Sequence, residues 1–202
     1  MSRVMHGVLA FFVGLAALGA QAAAPQIQNE RVTVWEYSWK QGAPSPIGRR
    51  DEDCVIVYLA PEPGRVVFQP KGQVSPVPPA AAGTALRAKL IALHDHPEPP
   101  RKNASGFPNA FPRPGSKAVL DNARVIVWDY TFMDGSPSPM HFHDKDVVVT
   151  YIGAGALKST AADGQAQTNE YGFGDTRFNL GNRTHTELLT RGNLRIIAME
   201  LK

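Results

Sequence analysis

Apolar and polar positions alternate with a period of two in the best-patterned part of the chain. In residues 124–132 (RVIVWDYTF), β-branched and aromatic side chains occupy both sides of the alternation, which is typical of a strand. Turn signals recur about every ten residues after it, at 134–135, 153–155, 163–164, 172–174 and 181–182. No comparable helical pattern follows the N-terminal apolar stretch. We therefore expect an all-β chain whose short strands form sandwiches or small barrels.

The strand pattern occurs twice. Residues 29–46 (NERVTVWEYSWKQGAPSP) and 122–139 (NARVIVWDYTFMDGSPSP) are identical at 10 of 18 positions, with an offset of 93 residues. The same register continues without a gap, because Asp53 falls on Asp146 and Tyr58 falls on Tyr151. The chain is therefore a duplication, and each copy predicts one barrel or sandwich.

The chain divides into four predicted segments. Residues 1–22 contain Arg3, an apolar stretch at 8–20 and an A-x-A motif, which together are typical of an export signal cleaved before Ala23. A membrane span needs about 20 apolar residues, more than this stretch offers. Residues 25–93 and 118–202 form the two copies, and the proline-rich residues 94–117 link them. We expect a periplasmic or secreted protein that is not membrane-bound after cleavage.

Composition narrows the function classes. The 202 residues are 43% hydrophobic and 19% charged, which excludes a disordered or fibrous chain. The net charge of +3 comes without a basic block beside aromatic residues, so a nucleic-acid partner is not expected. Cys54 is the single cysteine, so the exported chain has no internal disulfide. Its apolar neighbours favour a buried, unreactive thiol.

A pair of histidines marks the candidate site. His141 and His143 are two residues apart after a turn, and alternate residues of a strand project from the same face, so both rings can reach one metal ion. His94 and His96 have the same spacing. They lie at the start of the proline-rich segment without a partner motif, and we interpret them as solvated.

The surroundings of His141 and His143 resemble the first motif of the cupin superfamily. A glycine precedes the pair, an acidic residue, Asp146, follows it, and Gly153 closes the motif. The motif usually has glutamate where this chain has Asp146, and the loop before the acid is one residue shorter here. This shorter form looks like the small cupins of the β-alanine-degradation type.

A second stretch is similar to the second cupin motif. Gly174 and His185 keep that motif's spacing, although Leu180 and Asn182 replace its proline and second glycine. Asparagine tolerates a positive φ, so the turn is expected to survive. The resemblance implies two tandem cupin barrels, which are double-stranded β-helices of jelly-roll type.

The resemblance also implies one divalent transition metal ion in the C-terminal barrel. Its ligands by resemblance are His141, His143, Asp146 and His185, with one or two coordination positions left open. Fe, Mn, Ni, Zn and Cu all remain candidates, because nitrogen and oxygen donors without a thiolate do not select among them.

The first copy lacks these ligands. Gly48 and Arg50 stand at the positions of His141 and His143, and Ser75 stands at that of His185. A guanidinium stays protonated and repels a cation, so we expect no metal there. We interpret Arg49 and Arg50 as solvated loop charges.

Glu187 is the candidate catalytic residue. It follows His185 by two residues, so strand alternation points both side chains to one face, where Glu187 would act as a general base or orient a ligand. The alternative is an ion pair at the barrel rim. The resemblance implies a metal-dependent enzyme for a small oxygen-rich molecule, of dioxygenase (oxidoreductase), decarboxylase or isomerase type. A non-catalytic binder or sensor and a structural partner domain remain alternatives, as do a monomer and a homodimer.

Overall fold

The computed structural model describes residues 24–202, and this part of the chain contains strands and turns without a helix. The all-β prediction is confirmed. The predicted export signal at 1–22 lies outside the described residues. Within the described part, no helix is long and apolar enough to cross a membrane.

Fourteen strands follow one another between residues 24 and 202. Those of the N-terminal copy are β1 (Ile27–Gln28), β2 (Val32–Lys40), β3 (Asp53–Ala60), β4 (Val66–Gln69) and β5 (Ala85–Leu93). Those of the C-terminal copy are β6 (Lys117–Asp121), β7 (Val125–Thr131), β8 (His141–His143), β9 (Val147–Tyr151), β10 (Ala154–Ala161), β11 (Ala166–Tyr171), β12 (Thr176–Asn179), β13 (Arg183–Asn193) and β14 (Arg195–Leu201).

The strands form three antiparallel sheets. The N-terminal sheet has the order β1-β2-β5-β3-β4 and the central sheet has the order β6-β7-β14-β9-β12. The third, which we call the histidine sheet, has the order β11-β10-β13-β8. The central and histidine sheets face each other across a shared apolar core and form the C-terminal barrel.

The duplication is visible in the strand order. Each strand of the N-terminal sheet corresponds to one strand of the central sheet, and the pairing register agrees as well. Val32 pairs with Leu93 in the first copy, and Val125, which lies 93 residues after Val32, pairs with Leu201 in the second. The sequence repeat is therefore also a structural repeat.

The N-terminal copy is a reduced form of the barrel. Only residues 61–65 separate β3 from β4, whereas residues 152–175 separate β9 from β12 and contain the β10–β11 hairpin. The stretch that would correspond to β13 carries Pro76, Pro78 and Pro79, which have no backbone N–H to donate to a ladder. Within residues 24–202, the first copy therefore keeps one sheet, and Ile47 and Pro78 from its loops are buried instead.

The inner strands of the central sheet, β7, β9 and β14, are mostly buried, and apolar side chains therefore occupy both of their faces. Along β14, Ile197 and Met199 pack with valines of the N-terminal sheet such as Val34. The alternate residues Ile196 and Ala198 point into the barrel. This explains the β-branched residues found on both sides of the alternation in the sequence.

The segment between the two copies enters the barrel. The backbone N–H of Phe142 donates to the Pro108 carbonyl at 2.8 Å, and the N–H of Ala110 donates to the Phe142 carbonyl at 2.8 Å. Ala110 and Phe111 are consequently buried in the barrel core. This docking along β8 also carries Arg113 into the interior of the barrel, where its side chain is 6% exposed.

Candidate metal centre

Three histidines converge on the inner face of the histidine sheet. His141 and His143 project from the short strand β8, and His185 projects from its neighbour β13, directly opposite His141. Alternate residues of a strand share a face and opposite residues of a pair are neighbours, so all three rings reach one point. Their potential ligand atoms lie within 4.8 Å of one another.

The turn before β13 supports the pairing of β13 with β8. Asn182 has a φ of 60°, and its backbone N–H donates to the His143 carbonyl at 2.7 Å. Gly72, at the matching position of the first copy, has a φ of 75°. The prediction that asparagine replaces the motif glycine with the turn intact is confirmed.

Hydrogen bonds through the outer ring nitrogen orient two of the three rings, those of His141 and His185. A carbonyl oxygen only accepts, so Nδ1 of His141 donates to the Pro139 carbonyl at 2.8 Å and Nε2 carries the lone pair. That Nε2 is buried and has no hydrogen-bond partner among the described residues. Nδ1 of His185 lies 3.2 Å from Ser159 Oγ, and its Nε2 lies 3.1 Å from Nε2 of His143. A metal-ligating histidine is commonly fixed through its other ring nitrogen in this way.

Burial keeps the imidazoles neutral. It lowers the pKa of His141 to about 4, with the Arg113 guanidinium acting in the same direction. Burial also holds the pKa of His143 well below its ordinary value and lowers that of His185. Clustered neutral imidazoles with free lone pairs are the donors that a divalent transition metal ion takes. The residues present therefore fit the metal that the sequence resemblance implies.

Asp146 is not part of this cluster. Its carboxylate is 1% exposed and points to a separate network, in which Oδ2 accepts from Arg31 at 3.0 Å. Oδ1 accepts from the backbone N–H of Gly181 at 2.7 Å and forms an ion pair with Nη1 of Arg101 at 2.9 Å. The prediction of Asp146 as a metal ligand needs correction, because all its strong contacts are with these donors. Asp146 lies in the turn after β8. Through Arg31 and Gly181 it connects this turn to the first copy and to the turn before β13.

Glu187 lies where strand alternation predicts. It lines the same cavity as His143 and His185, and its Oε2 accepts from Arg113 at 3.4 Å. Burial acts to raise the pKa of Glu187, but the positively charged groups around it, of which the Arg113 guanidinium has the largest effect, together lower it. Glu187 is therefore ionised at neutral pH and can accept a proton.

A cavity of about 660 Å³ opens above the histidines. This volume lies in the range of small-molecule sites, about 300–1,000 Å³. Its walls include Tyr151 and Tyr171, which are stacked at 3.9 Å between ring centroids. Uncharged polar side chains line it as well: Ser159, Gln165, Gln167, Asn169, Asn179 and Thr184.

The corresponding place in the first copy is filled by Arg50. Its guanidinium lies over the rings of Trp35 and Tyr37, 5.6 and 5.8 Å from their centroids, and donates to the Tyr37 hydroxyl at 3.0 Å. The interpretation of Arg50 as a solvated loop charge is therefore wrong, because the aromatic pair half-buries it. A cation held at the position of His143 is consistent with a copy that takes no metal ion.

The sequence does not identify three residues of the site, which are two arginines and a serine. Ser159 lies on β10, and no motif marks it. Arg183 lies on β13 two residues before His185, so strand alternation could have found it. Arg113 comes from the proline-rich segment, where no periodicity indicates which side chain turns inward.

Comparison with known proteins supports the fold. Neither the protein-family models nor the curated protein sequences match this chain. Among solved structures, AerE from Microcystis aeruginosa is 10% identical and covers 89% of this chain and 96% of its own, with a TM-score of 0.51.

Two further solved structures are named for cupins. A cupin domain protein from Bordetella pertussis is 24% identical over 45% of this chain and 97% of its own, with a TM-score of 0.41. A cupin 2 conserved barrel domain protein from Leptotrichia buccalis is 13% identical over 89% of this chain and 88% of its own, with a TM-score of 0.40. The likeness to AerE, which spans both copies, indicates a shared fold.

Proposed function

We propose that this chain, which has the double-stranded β-helix fold of the cupin superfamily, binds one divalent transition metal ion through His141, His143 and His185. We further propose that the cavity above the ion takes a small oxygen-rich molecule. The observation that carries the proposal is the convergence of two buried imidazoles and one half-buried imidazole, whose ligand atoms lie within 4.8 Å of one another. The unpartnered Nε2 of His141 adds to it, because a buried polar nitrogen costs free energy unless something binds it.

The donor set limits the chemistry of the ion. Three imidazoles without a thiolate suit Zn, Cu, Fe and Ni, and Mn is not excluded by them. A bound ion would act as a Lewis acid toward an oxygen atom of the substrate. With three protein ligands, coordination positions remain for that oxygen.

The chain's own residues supply the rest of the site. Glu187 lines the cavity as an ionised carboxylate and is the proposed general base. Arg113 lies 3.4 Å from that carboxylate, and its guanidinium packs against the ring of Tyr130. Ser159 keeps the His185 ring oriented. We propose that the site works outside the cytoplasm, as the predicted export signal requires.

Metal analysis tests the proposal. Wild type, His141→Ala and His96→Ala are purified under identical conditions, and bound transition metal is measured by elemental analysis. His96 is exposed and belongs to the other histidine pair, which makes it a matched control. We expect close to one equivalent in wild type and His96→Ala and less than about a tenth in His141→Ala. Equal metal content in all three would overturn the assignment.

Turnover separates an enzyme from a binder. Metal-loaded protein is assayed with a panel of small carboxylic acids and diketones by oxygen consumption and product analysis. We expect turnover of at least one compound, and a fall of at least about a hundredfold in kcat for Glu187→Gln, since general-base catalysis contributes about that much. Metal binding without turnover on the panel would favour the non-catalytic binder.

A further inference from the structure

The Arg113 side chain is buried inside the barrel. Its guanidinium carbon lies 4.0 Å from the ring centroid of Tyr130, 4.7 Å from that of Phe111 and 5.6 Å from that of Phe132. Aromatic faces attract a cation and hold it in one orientation. The guanidinium is therefore held in place before a ligand binds, and the Arg113 side chain lines the cavity.

The protein satisfies little of this guanidinium's hydrogen-bonding capacity. Among residues 24–202, its side chain makes one hydrogen bond, a long one of 3.4 Å from Nη1 to Glu187. Its Nε is buried and has no partner in this part of the chain. A guanidinium has five N–H donors, and leaving buried ones unpaired costs free energy.

The charges around the cavity do not balance. Arg113 and Arg183 line it as cations, whereas Glu187 is the single carboxylate among its lining residues. The Nε of Arg183 donates to the Leu180 carbonyl at 2.7 Å, which anchors that side chain at the cavity wall. A divalent ion on the histidines would add further positive charge. Such a site attracts an anion.

We propose that Arg113 is the anchor for a carboxylate group of the substrate. The planar fork of a guanidinium matches a carboxylate through two parallel hydrogen bonds. The inference rests on the proposed function, because the anchored molecule is the one whose other oxygen atoms face the histidines. Amide side chains such as Gln167 and Asn169 also line the cavity and suit hydroxyl or keto groups. The substrate class is thus a small hydroxy or keto carboxylate.

A titration with two isosteric probes tests the anchor without activity. Propionate and propionamide differ in charge but little in shape. Each is titrated by calorimetry into wild-type protein, both zinc-loaded and chelator-treated. We expect saturable binding of propionate in both forms and an affinity for propionamide at least about tenfold lower. Equal affinity for the two probes, or propionate binding in the zinc-loaded form alone, would overturn the proposal.

Variants locate the anchor. We expect Arg113→Gln to weaken propionate binding at least about tenfold, and Arg113→Lys to keep the charge but lose part of the affinity with the planar fork. Arg191→Gln is the matched control, because Arg191 is exposed and pairs with Glu170 on the barrel surface. Far-UV circular dichroism checks that each variant is folded. Unchanged propionate affinity in a folded Arg113→Gln protein would overturn the proposal.

A third variant keeps the test independent of the folding of Arg113 variants. Glu187 competes with the ligand for the guanidinium, so we expect Glu187→Gln to bind propionate more tightly than wild type. Weaker binding would count against the anchor. Metal content is measured on the same samples. Zinc uptake without a preference for propionate over propionamide would refute the carboxylate anchor and leave the proposed metal site standing. Selective propionate binding without zinc uptake would refute the proposed metal site and leave the anion-binding role of Arg113 standing.

Discussion

Removing the Asp146 carboxylate should destabilise the protein without removing a metal ligand. In Asp146→Asn, the side-chain oxygen still accepts from the Gly181 N–H, but the charge opposite Arg31 and Arg101 is lost. We expect a large fall in the free energy of unfolding and an unchanged metal content. A metal ligand would show the opposite pattern.

The size of the effect follows from burial. The side chains of Asp146 and Arg31 are 1% and 8% exposed, so this is a buried ion pair. Removing one partner of such a pair costs about 3–5 kcal/mol, compared with about 0–1 kcal/mol for a surface pair. In a chain of this size each kcal/mol lowers Tm by about 2–4 °C, so we expect a fall of about 6–20 °C.

Urea denaturation and elemental analysis of the same samples give both quantities. Arg31→Gln is the matched control, because it breaks the same pair from the first copy, away from the histidines. It should cost a similar free energy, and the double variant should be less unstable than the sum of the two, with a coupling of about 1–3 kcal/mol. Loss of metal in Asp146→Asn at unchanged stability, while Arg31→Gln keeps its metal, would refute this account.

Three further predictions concern other parts of the chain. Burial raises the pKa of Glu200, so its contribution to stability is complete below the pKa of an unfolded carboxyl and is lost as pH rises through the folded pKa. The unfolding free energy of Glu200→Gln relative to wild type should thus rise between the unfolded and the folded pKa of Glu200 and level off above the folded pKa. If this difference does not change with pH, the raised pKa of Glu200 is contradicted. Gly192→Ala places a Cβ against the Ala154 carbonyl at a φ of 84° and should cost about 2 kcal/mol or more in urea unfolding, whereas Gly164→Ala, at a φ of 85° in open space, should cost less. Mass spectrometry of protein recovered from the periplasm or medium should find Ala23 at the N-terminus; an intact leader on that protein would argue against cleavage, and recovery of the protein from the cytoplasm alone would argue against export.

The sequence predicts the fold well because its information is local and repeated. Alternation and turn residues identify the strands, and the offset of 93 residues identifies two copies. The single sheet of the first copy was not foreseen. It depends on the missing hairpin between β3 and β4 and on three prolines, which become meaningful only once the strand pairing is known.

The sequence predicts only those residues of the site that follow from strand alternation or from motif spacing. His141, His143 and Glu187 follow from alternation, and His185 follows from motif spacing. The network around Asp146 could not be predicted, because its charged partners, Arg31 and Arg101, come from the first copy and from the connecting segment. Ion pairs between residues that are far apart in the sequence produce no periodic pattern.

An anomalous difference map from a crystal of the metal-loaded protein tests the central claim most directly. The account predicts one peak in the C-terminal barrel, about 2.0–2.2 Å from Nε2 of His141, His143 and His185. It predicts no peak at Arg50 in the first copy or within bonding distance of Asp146. A peak bound by Asp146, or the absence of any peak beside the three imidazoles, would contradict it.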